Sequence, residues 1–493
     1  MITPATPIAE LRAAQFERLR SLLSEVLPGN RFYARKFAAA GIRLDDLRSF
    51  DDLRGLPFTT KSELAEDQGA NPPYGTALTY PIERYSRLHQ TSGTSTGRPL
   101  KWLDTPESWE SVLHCWQISF PFMGLTPRDR VFFPFSFGPF IGFWSAFEAA
   151  SRFGALVIPG GGMTSTARLR FLLEQEATVV FATPTYALHL AELAAKEGID
   201  LAGSSVRMLV VAGEPGGTIP ATRKRIEEVW GARVFDHYGM TEIGPVALEA
   251  EDTPGQMVLL ESEYVAEVLP VGDPVGDPVG EPSGVSRRVN GDEEFGELVL
   301  TNLARSGSPL FRYRTGDLVR MRNLTPQPPS LRGKGEPDQS PSPLRGGVGE
   351  GLQENLTPQH PSLGGKGEAE IERGQVFNWR RIHVGILGRC DDMLHVRGNN
   401  LYPGTIEAIV RRFPAVAEYR IHVDHSGPLA DLRIEVEPAD GCDGRELADA
   451  VSRAVRDDLL FRVDVTAAAP GSLPRFEMKA RRIVRMDRGE RGA

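Results

Sequence analysis

Hydrophobic positions along the chain change their period several times, and each change marks a different kind of element. Residues 1–60 repeat at helical spacing, as from Ile8 and Leu11 to Leu22 and Leu23. From about 150 to 250, short apolar runs alternate with helical stretches. Ala155–Ile158 precedes a helix at 166–175, Thr178–Phe181 one at 184–197, and Met208–Val211 one at 219–230, followed by Val234-Phe235. This alternation predicts a parallel α/β sheet that binds ligands at the carboxyl ends of its strands. Between 263 and 320 the pattern becomes that of β-hairpins, at Tyr264–Val268 and Gly296–Leu300. Beyond Ile386 it predicts a helix at 404–413, strands at 419–423 and 432–436, and a helix at 444–459. A strand near Arg462–Val465 and a basic tail complete the chain. The fold class is thus α/β, with a large unit over 1–387 and a small α+β unit over 388–493.

Two stretches lack any such pattern. Val271–Pro282 reads VGDP-VGDP-VGEP and extends a hairpin loop. Asn323–Glu336 returns as Asn355–Glu368, identical at 12 of 14 positions. Residues 323–370 hold eight prolines, nine glycines and no aromatic residue, so neither a core nor a stacking solenoid can form there. The segment reads as an insertion, or alternatively as a Pro-rich arm for a partner.

The run His89–Pro99 places hydroxyls and glycines between two β-like flanks, with Thr91, Ser92, Gly93, Thr94, Ser95, Thr96 and Gly97 at its centre. Such a loop turns backbone N–H groups and hydroxyls toward one point, which suits a polyphosphate. Gly93–Gly97 also fits the G-x-S-x-G elbow of serine hydrolases, but an elbow must lead into a helix. Here Pro99 is followed by strand-like alternation, and the first helix start is Thr105-Pro106-Glu107. A polar surface turn is the remaining alternative. Val131–Phe147 is uncharged and rich in phenylalanine, yet Pro134, Gly138, Pro139 and Gly142 break it. It reads as core or as an aromatic pocket wall rather than a membrane span.

At 493 residues with net charge −9, the chain lacks the basic face that nucleic-acid binding needs. Its three cysteines lie far apart and form neither a disulfide framework nor a zinc motif. No secretory start is present, so a cytoplasmic protein is expected.

Polar clusters sit where loops should follow strands: Ala212–Pro215, Asp236–Glu242, Tyr313–Leu318, Gly388–Asp392 and Pro474–Lys479. The ordered set TSGTSTGRP, AGEP, HYGMTE, YRTGDL, GRCDDMLHVRGNNLYP and PRFEMK resembles the adenylate-forming acyl-CoA synthetase superfamily, in particular its phenylacetate–CoA ligase branch. The similarity spans nearly the whole chain and skips the two patternless stretches.

The resemblance implies an ATP-dependent, AMP-forming acid–thiol ligase. It would activate an aryl or arylacetic acid as acyl-adenylate and then transfer the acyl group to CoA. Thr91–Gly97 would hold the β- and γ-phosphates. Gly213, Glu214 and Pro215 would border adenine and Tyr238 would stack on it, with Asp236, His237, Gly239 and Met240 around them. Thr241 would contact the α-phosphate, Glu242 would ligate Mg²⁺, and Asp317 with Arg389 would take the ribose. Lys479 would bridge the carboxylate and the α-phosphate, where charge builds up in the transition state. The small unit would rotate about Asp391, exchanging Lys479 for the Gly398 region. Phe135, Phe137, Phe140, Trp144, Thr183, Tyr186 and His237 would border the acid.

Against the usual family pattern, the phosphate loop is one residue longer and Met478 replaces a glycine before Lys479. Loading of a separate acyl-carrier protein and a non-catalytic nucleotide-binding scaffold are the rival readings. The sequence leaves a homodimer open.

Overall fold

The computed structural model describes residues 2–91, 99–270, 288–289, 293–322, 378–390, 394–396, 399–401, 403–424, 431–459, 462–476 and 480–486. Ser92, Gly93, Thr94, Ser95, Thr96, Gly97, Asp391, Gly398 and Lys479 lie outside them, as do the tandem repeat 271–282 and the insertion 323–370.

The chain opens with helices α1 (Ile8–Val26), α2 (Arg31–Ala39) and α3 (Lys61–Ala70), the last started by a Thr60–Glu63 capping box. Strands β1 (Arg87–Gln90) and β2 (Lys101–Asp104) then pair antiparallel, with Gln90 opposite Lys101. The hydroxyl-rich run is therefore the connection between two strands, as its flanks predict. Helix α4 (Pro106–Phe122) follows, with the Thr105 hydroxyl accepting from Ser108 N–H and Pro106 at the first position. Among the described residues after this run, Lys101 starts a strand and the first helix is α4, which argues against the hydrolase elbow.

The α/β alternation then appears: β3 (Arg130–Phe133), α5 (Ile141–Phe153), β4 (Leu156–Pro159), α6 (Ser165–Glu174), β5 (Val179–Ala182), α7 (Pro184–Lys196), β6 (Met208–Val211), α8 (Pro220–Trp230) and β7 (Arg233–Met240). The antiparallel region comprises β8 (Gly244–Glu249), β9 (Gln256–Leu259), β10 (Tyr264–Leu269), β11 (Arg288–Val289), β12 (Glu293–Asn302), β13 (Tyr313–Arg322) and β14 (Arg381–Arg389). All of these strands from β3 onward share one sheet, in the order β10-β12-β13-β14-β9-β8-β7-β6-β5-β3-β4, with β11 on β12.

Strand alternation sorts the core onto two faces. Val131, Phe133, Val179, Phe181, Met208 and Val210 join the larger cluster, while Phe132, Val180, Ala182, Leu209 and Val211 join a second one under α6–α8.

The seam of the sheet is β7. Its residues 233–236 pair parallel with β6, and its residues 237–240 pair antiparallel with β8. The sequence placed His237–Met240 in a loop after Phe235. They extend the strand instead, because β8 supplies their backbone partners. Tyr313–Leu318 likewise lies within β13 rather than after it.

The small unit contains β15 (Leu394–Val396), β16 (Asn399–Leu401), α9 (Pro403–Val410), β17 (Val416–Asp424), β18 (Asp431–Pro438), α10 (Gly444–Leu459), β19 (Asp464–Ala467) and β20 (Ile483–Met486). Its four-stranded sheet runs β19-β18-β17-β20 around a separate apolar cluster that includes Ile406, Ile421, Ile434 and Val451. β20 falls in the stretch expected to be a basic tail, where it pairs parallel with β17. Among the described residues, no helix is long and apolar enough to cross a membrane.

Candidate active site

The seam strand and the two hairpin strands beside it bring several candidate residues together. On β7, the Tyr238 hydroxyl donates to Asp317 Oδ2 at 2.6 Å. Asp317 on β13 is the register partner of Arg389 on β14, and Arg389 Nη1 reaches Asp317 Oδ1 at 3.3 Å. Gly316 precedes it with φ 75°, and a β-carbon there would lie 3.0 Å from Arg389 Nη2. A side chain at that position would thus disturb both the backbone and the ion pair. Burial, and then the Asp317 charge, hold the Tyr238 hydroxyl well above the usual phenol range, so it stays a neutral donor.

The turn after β7 carries Thr241 and Glu242. Arg305, fully buried, donates from Nη1 to the carbonyls of Thr241 (2.9 Å) and Glu242 (3.0 Å). Its Nε and Nη2 grip the two oxygens of Asp104, at the end of β2, at 2.6 Å each. One guanidinium therefore clamps the turn to the strand that leaves the hydroxyl-rich loop. The Glu242 side chain is buried, and its Oε1 meets Lys61 Nζ at 3.1 Å and the Tyr313 hydroxyl at 3.2 Å. Thr91 closes the base of the loop: its hydroxyl accepts from Leu100 N–H at 2.9 Å.

Beyond His237 lies a chain of rings. His237 stacks on Trp116 with centroids 4.1 Å apart, and Trp116 meets Phe181 edge-on at 5.8 Å. Phe181 stacks on Phe133 at 4.9 Å, and contacts continue through Phe135 and Phe137 to Trp144. Burial pushes His237 down to about 3, so its imidazole is neutral near pH 7. Its Nε2 is buried without a hydrogen-bond partner.

This geometry coincides with known relationships. The family signature described as "AMP-binding enzyme" matches residues 91–280, and that of the "AMP-binding enzyme C-terminal domain" matches 398–487. The chain belongs to the adenylate-forming, AMP-binding enzymes. Within them it is 29% identical over 486 residues to a phenylacetate-coenzyme A ligase of Escherichia coli (strain K12), covering 97% of this chain and 95% of that one. It also resembles the solved 2-hydroxyisobutyryl-CoA ligase at 26% identity, over 98% of this chain and 91% of that one. The TM-score is 0.79 against that ligase in its postadenylation state with a bound acyl-AMP. Against the same ligase in its thioesterification state with CoA, at equal identity and coverage, it is 0.64.

Other residues expected to serve this AMP-binding enzyme's site lie elsewhere or are otherwise engaged. Glu214 turns its carboxylate to backbone amides, Oε1 accepting from Thr185 N–H and Oε2 from Ala480 N–H, both at 2.8 Å. Gly213 and Pro215 beside it are exposed. Asp236 packs under Gly217, where an added β-carbon would come within 2.5 Å of its Cγ. Burial and neighbouring Glu249, itself paired with Arg223, push Asp236 up to about 7.

Tyr186 does not join the aromatic wall. It is 1% exposed in the second core, with its hydroxyl at 3.0 Å from Ser165 and 2.9 Å from Arg168. Helix α7 turns it to the opposite side of the sheet from Phe133 and Phe181. Thr183 spends its hydroxyl capping α7, while Phe140 is half-buried at the start of α5. Gly239 is exposed and Met240 half-buried at the end of β7.

Sequence reasoning missed three residues. Lys61 sits at the first turn of α3, far from any recognised motif. Trp116 is one of many apolar residues on α4, and Arg305 lies in a loop with no local pattern.

Proposed function

We propose that the protein is an AMP-forming carboxylate–CoA ligase that takes an aryl or arylacetic acid, ATP and CoA. The observation that carries this reading is the arrangement on β7. His237 faces a box of aromatic rings, while its neighbour Tyr238 joins a carboxylate and a guanidinium suited to a nucleoside. An apolar acid and a nucleotide can then meet at one turn, where Thr241 and Glu242 lie.

In this reading the Asp317 carboxylate accepts from ribose hydroxyls and the Tyr238 ring lies against adenine. Ser92–Gly97 surround the departing phosphates, with Thr91 pinning the loop base. Lys61 adds a positive charge beside Glu242, where charge accumulates as the carboxylate attacks the α-phosphorus. Lys479 serves the same step from the small unit. Bond formation between carboxylate oxygen and α-phosphorus releases pyrophosphate. Attack of the CoA thiol on the acyl carbon then releases AMP.

Mg²⁺ enters with ATP and neutralises phosphate charge. Glu242 suits it: among the described residues Lys61 and Tyr313 meet Oε1, and the carboxylate would offer its other oxygen to the cation.

The test is pyrophosphate release from MgATP across aryl, arylacetic and short aliphatic acids, with and without CoA. Release specific to aromatic acids, followed by a CoA thioester, is expected. Release only with aliphatic acids would refute the substrate class. An adenylate that CoA does not discharge would shift the acceptor to a carrier protein.

A further inference from the structure

Among the described residues, a group of polar contacts between the small and large units lies around α7. Arg475 is held within the small unit by Glu437, through Nη2 at 2.6 Å, and reaches across to Glu192 Oε2 at 3.4 Å. Arg482 is likewise oriented by Glu418, through Nε at 2.7 Å, and lends Nη2 to the Thr185 hydroxyl at 3.1 Å. Between them, Glu214 joins the Thr185 and Ala480 amides. Arg225 on α8 adds a bond to the Val416 carbonyl at 3.2 Å. The small-unit arginines are thus pre-oriented by their own carboxylates, and only their spare N–H groups cross the seam.

Such a seam can open. It holds charged and hydroxyl groups that water can replace, and Glu192 and Arg475 are each about a quarter exposed (26% and 27%). The related ligase has been solved in a postadenylation state and in a thioesterification state, and this chain matches the former with the higher TM-score, 0.79 against 0.64.

We propose that Thr185, Glu192 and Glu214 form a latch that holds segments 474–476 and 480–486 on the large unit during acid activation and releases them for transfer to CoA. The inference rests on the ligase reading, in which Lys479 serves only the first step. These are positioning residues: they touch neither the aromatic box nor the Tyr238–Asp317–Arg389 group. The arginines remain neutralised by Glu437 and Glu418 when the latch opens, so opening leaves no unpaired buried charge in the small unit.

The test is the full-length double variant Thr185→Val/Glu192→Gln, compared with wild type and with Thr185→Ser. Acid-dependent ATP–pyrophosphate exchange should fall about tenfold or more in the double variant. Conversion of supplied acyl-AMP and CoA to thioester should hold or rise. Deuterium uptake by amides 480–486 should increase, and Thr185→Ser, which keeps the hydroxyl, should behave as wild type. Equal loss of both half-reactions would mark a structural role and overturn the proposal. So would unchanged exchange and uptake in the folded double variant. If wild type exchanges with no acid, the ligase reading fails separately. Deuterium uptake in the ATP-bound protein then decides the latch alone, with uptake equal to wild type overturning it.

Discussion

Replacing Arg305 by Met should separate stability from catalysis at the Thr241–Glu242 turn. Both Arg305 and Asp104 side chains are wholly buried, joined by two bonds of 2.6 Å. The His89 ring also approaches, its Nδ1 lying 3.9 Å from Asp104 Oδ2. Burial alone would raise the Asp104 carboxyl, but Arg305 more than offsets this and holds it below its usual range. A lowered carboxylate contributes its stability above the ordinary value near 4 and loses it only as pH falls further, so the pair is intact at pH 7.5. Removing one partner of a buried pair costs about 3–5 kcal/mol, because the remaining charge is stranded. Replacing both partners by apolar groups is often close to neutral. Urea unfolding at pH 7.5 should therefore show Arg305→Met destabilised by about 3–5 kcal/mol, and Asp104→Leu/Arg305→Met recovering most of that. Pyrophosphate exchange should stay low in both, since the Thr241 and Glu242 carbonyls have lost their donor. A single variant within about 1 kcal/mol of wild type, or a double variant no better than the single, would refute the argument.

Lys61→Met should cut pyrophosphate exchange about ten- to hundredfold and also lower the melting temperature, because it strands the buried Glu242 carboxylate. Wild-type exchange in that variant would sink its role. Tyr238→Phe deletes the bond to Asp317 and should raise the KM for ATP about tenfold, with a smaller effect on kcat; an unchanged KM would contradict it. Asp236 is raised to about 7, so the native state keeps a proton that the unfolded chain releases near 4. Stability should fall as pH rises from about 4 to about 7, by up to about 4 kcal/mol, and stay low above. Melting curves of Asp236→Asn should lack that slope, whereas parallel profiles for variant and wild type would exclude Asp236 as its source.

The parts of this molecule legible in the chain are those encoded locally. The α/β alternation, the loop between β1 and β2, and the Thr105 start of α4 each follow from spacing, proline and a cap. What escaped is set by partners distant in sequence. Residues 237–240 look like a loop until β8 supplies their ladder. β20 is four residues in a basic run, visible only once β17 lies beside it. Lys61 has no motif of its own and meets Glu242 only through the placement of α3. Tyr186 shows the opposite failure: a residue close in sequence to the site, which one helical turn carries to the other side of the sheet.

The seam strand has a consequence for anyone retailoring acid selectivity. His237 and Tyr238 are successive residues on β7, one stacked on Trp116 and the other bonded to Asp317. A library that varies position 237 strains the backbone that presents position 238, so gains in acid choice will come entangled with losses at the nucleotide. Trp116 and Phe181 look into the same box from α4 and β5, neither of which carries a residue of the Tyr238 cluster. Diversity placed there can reshape one half of the site while leaving the other untouched.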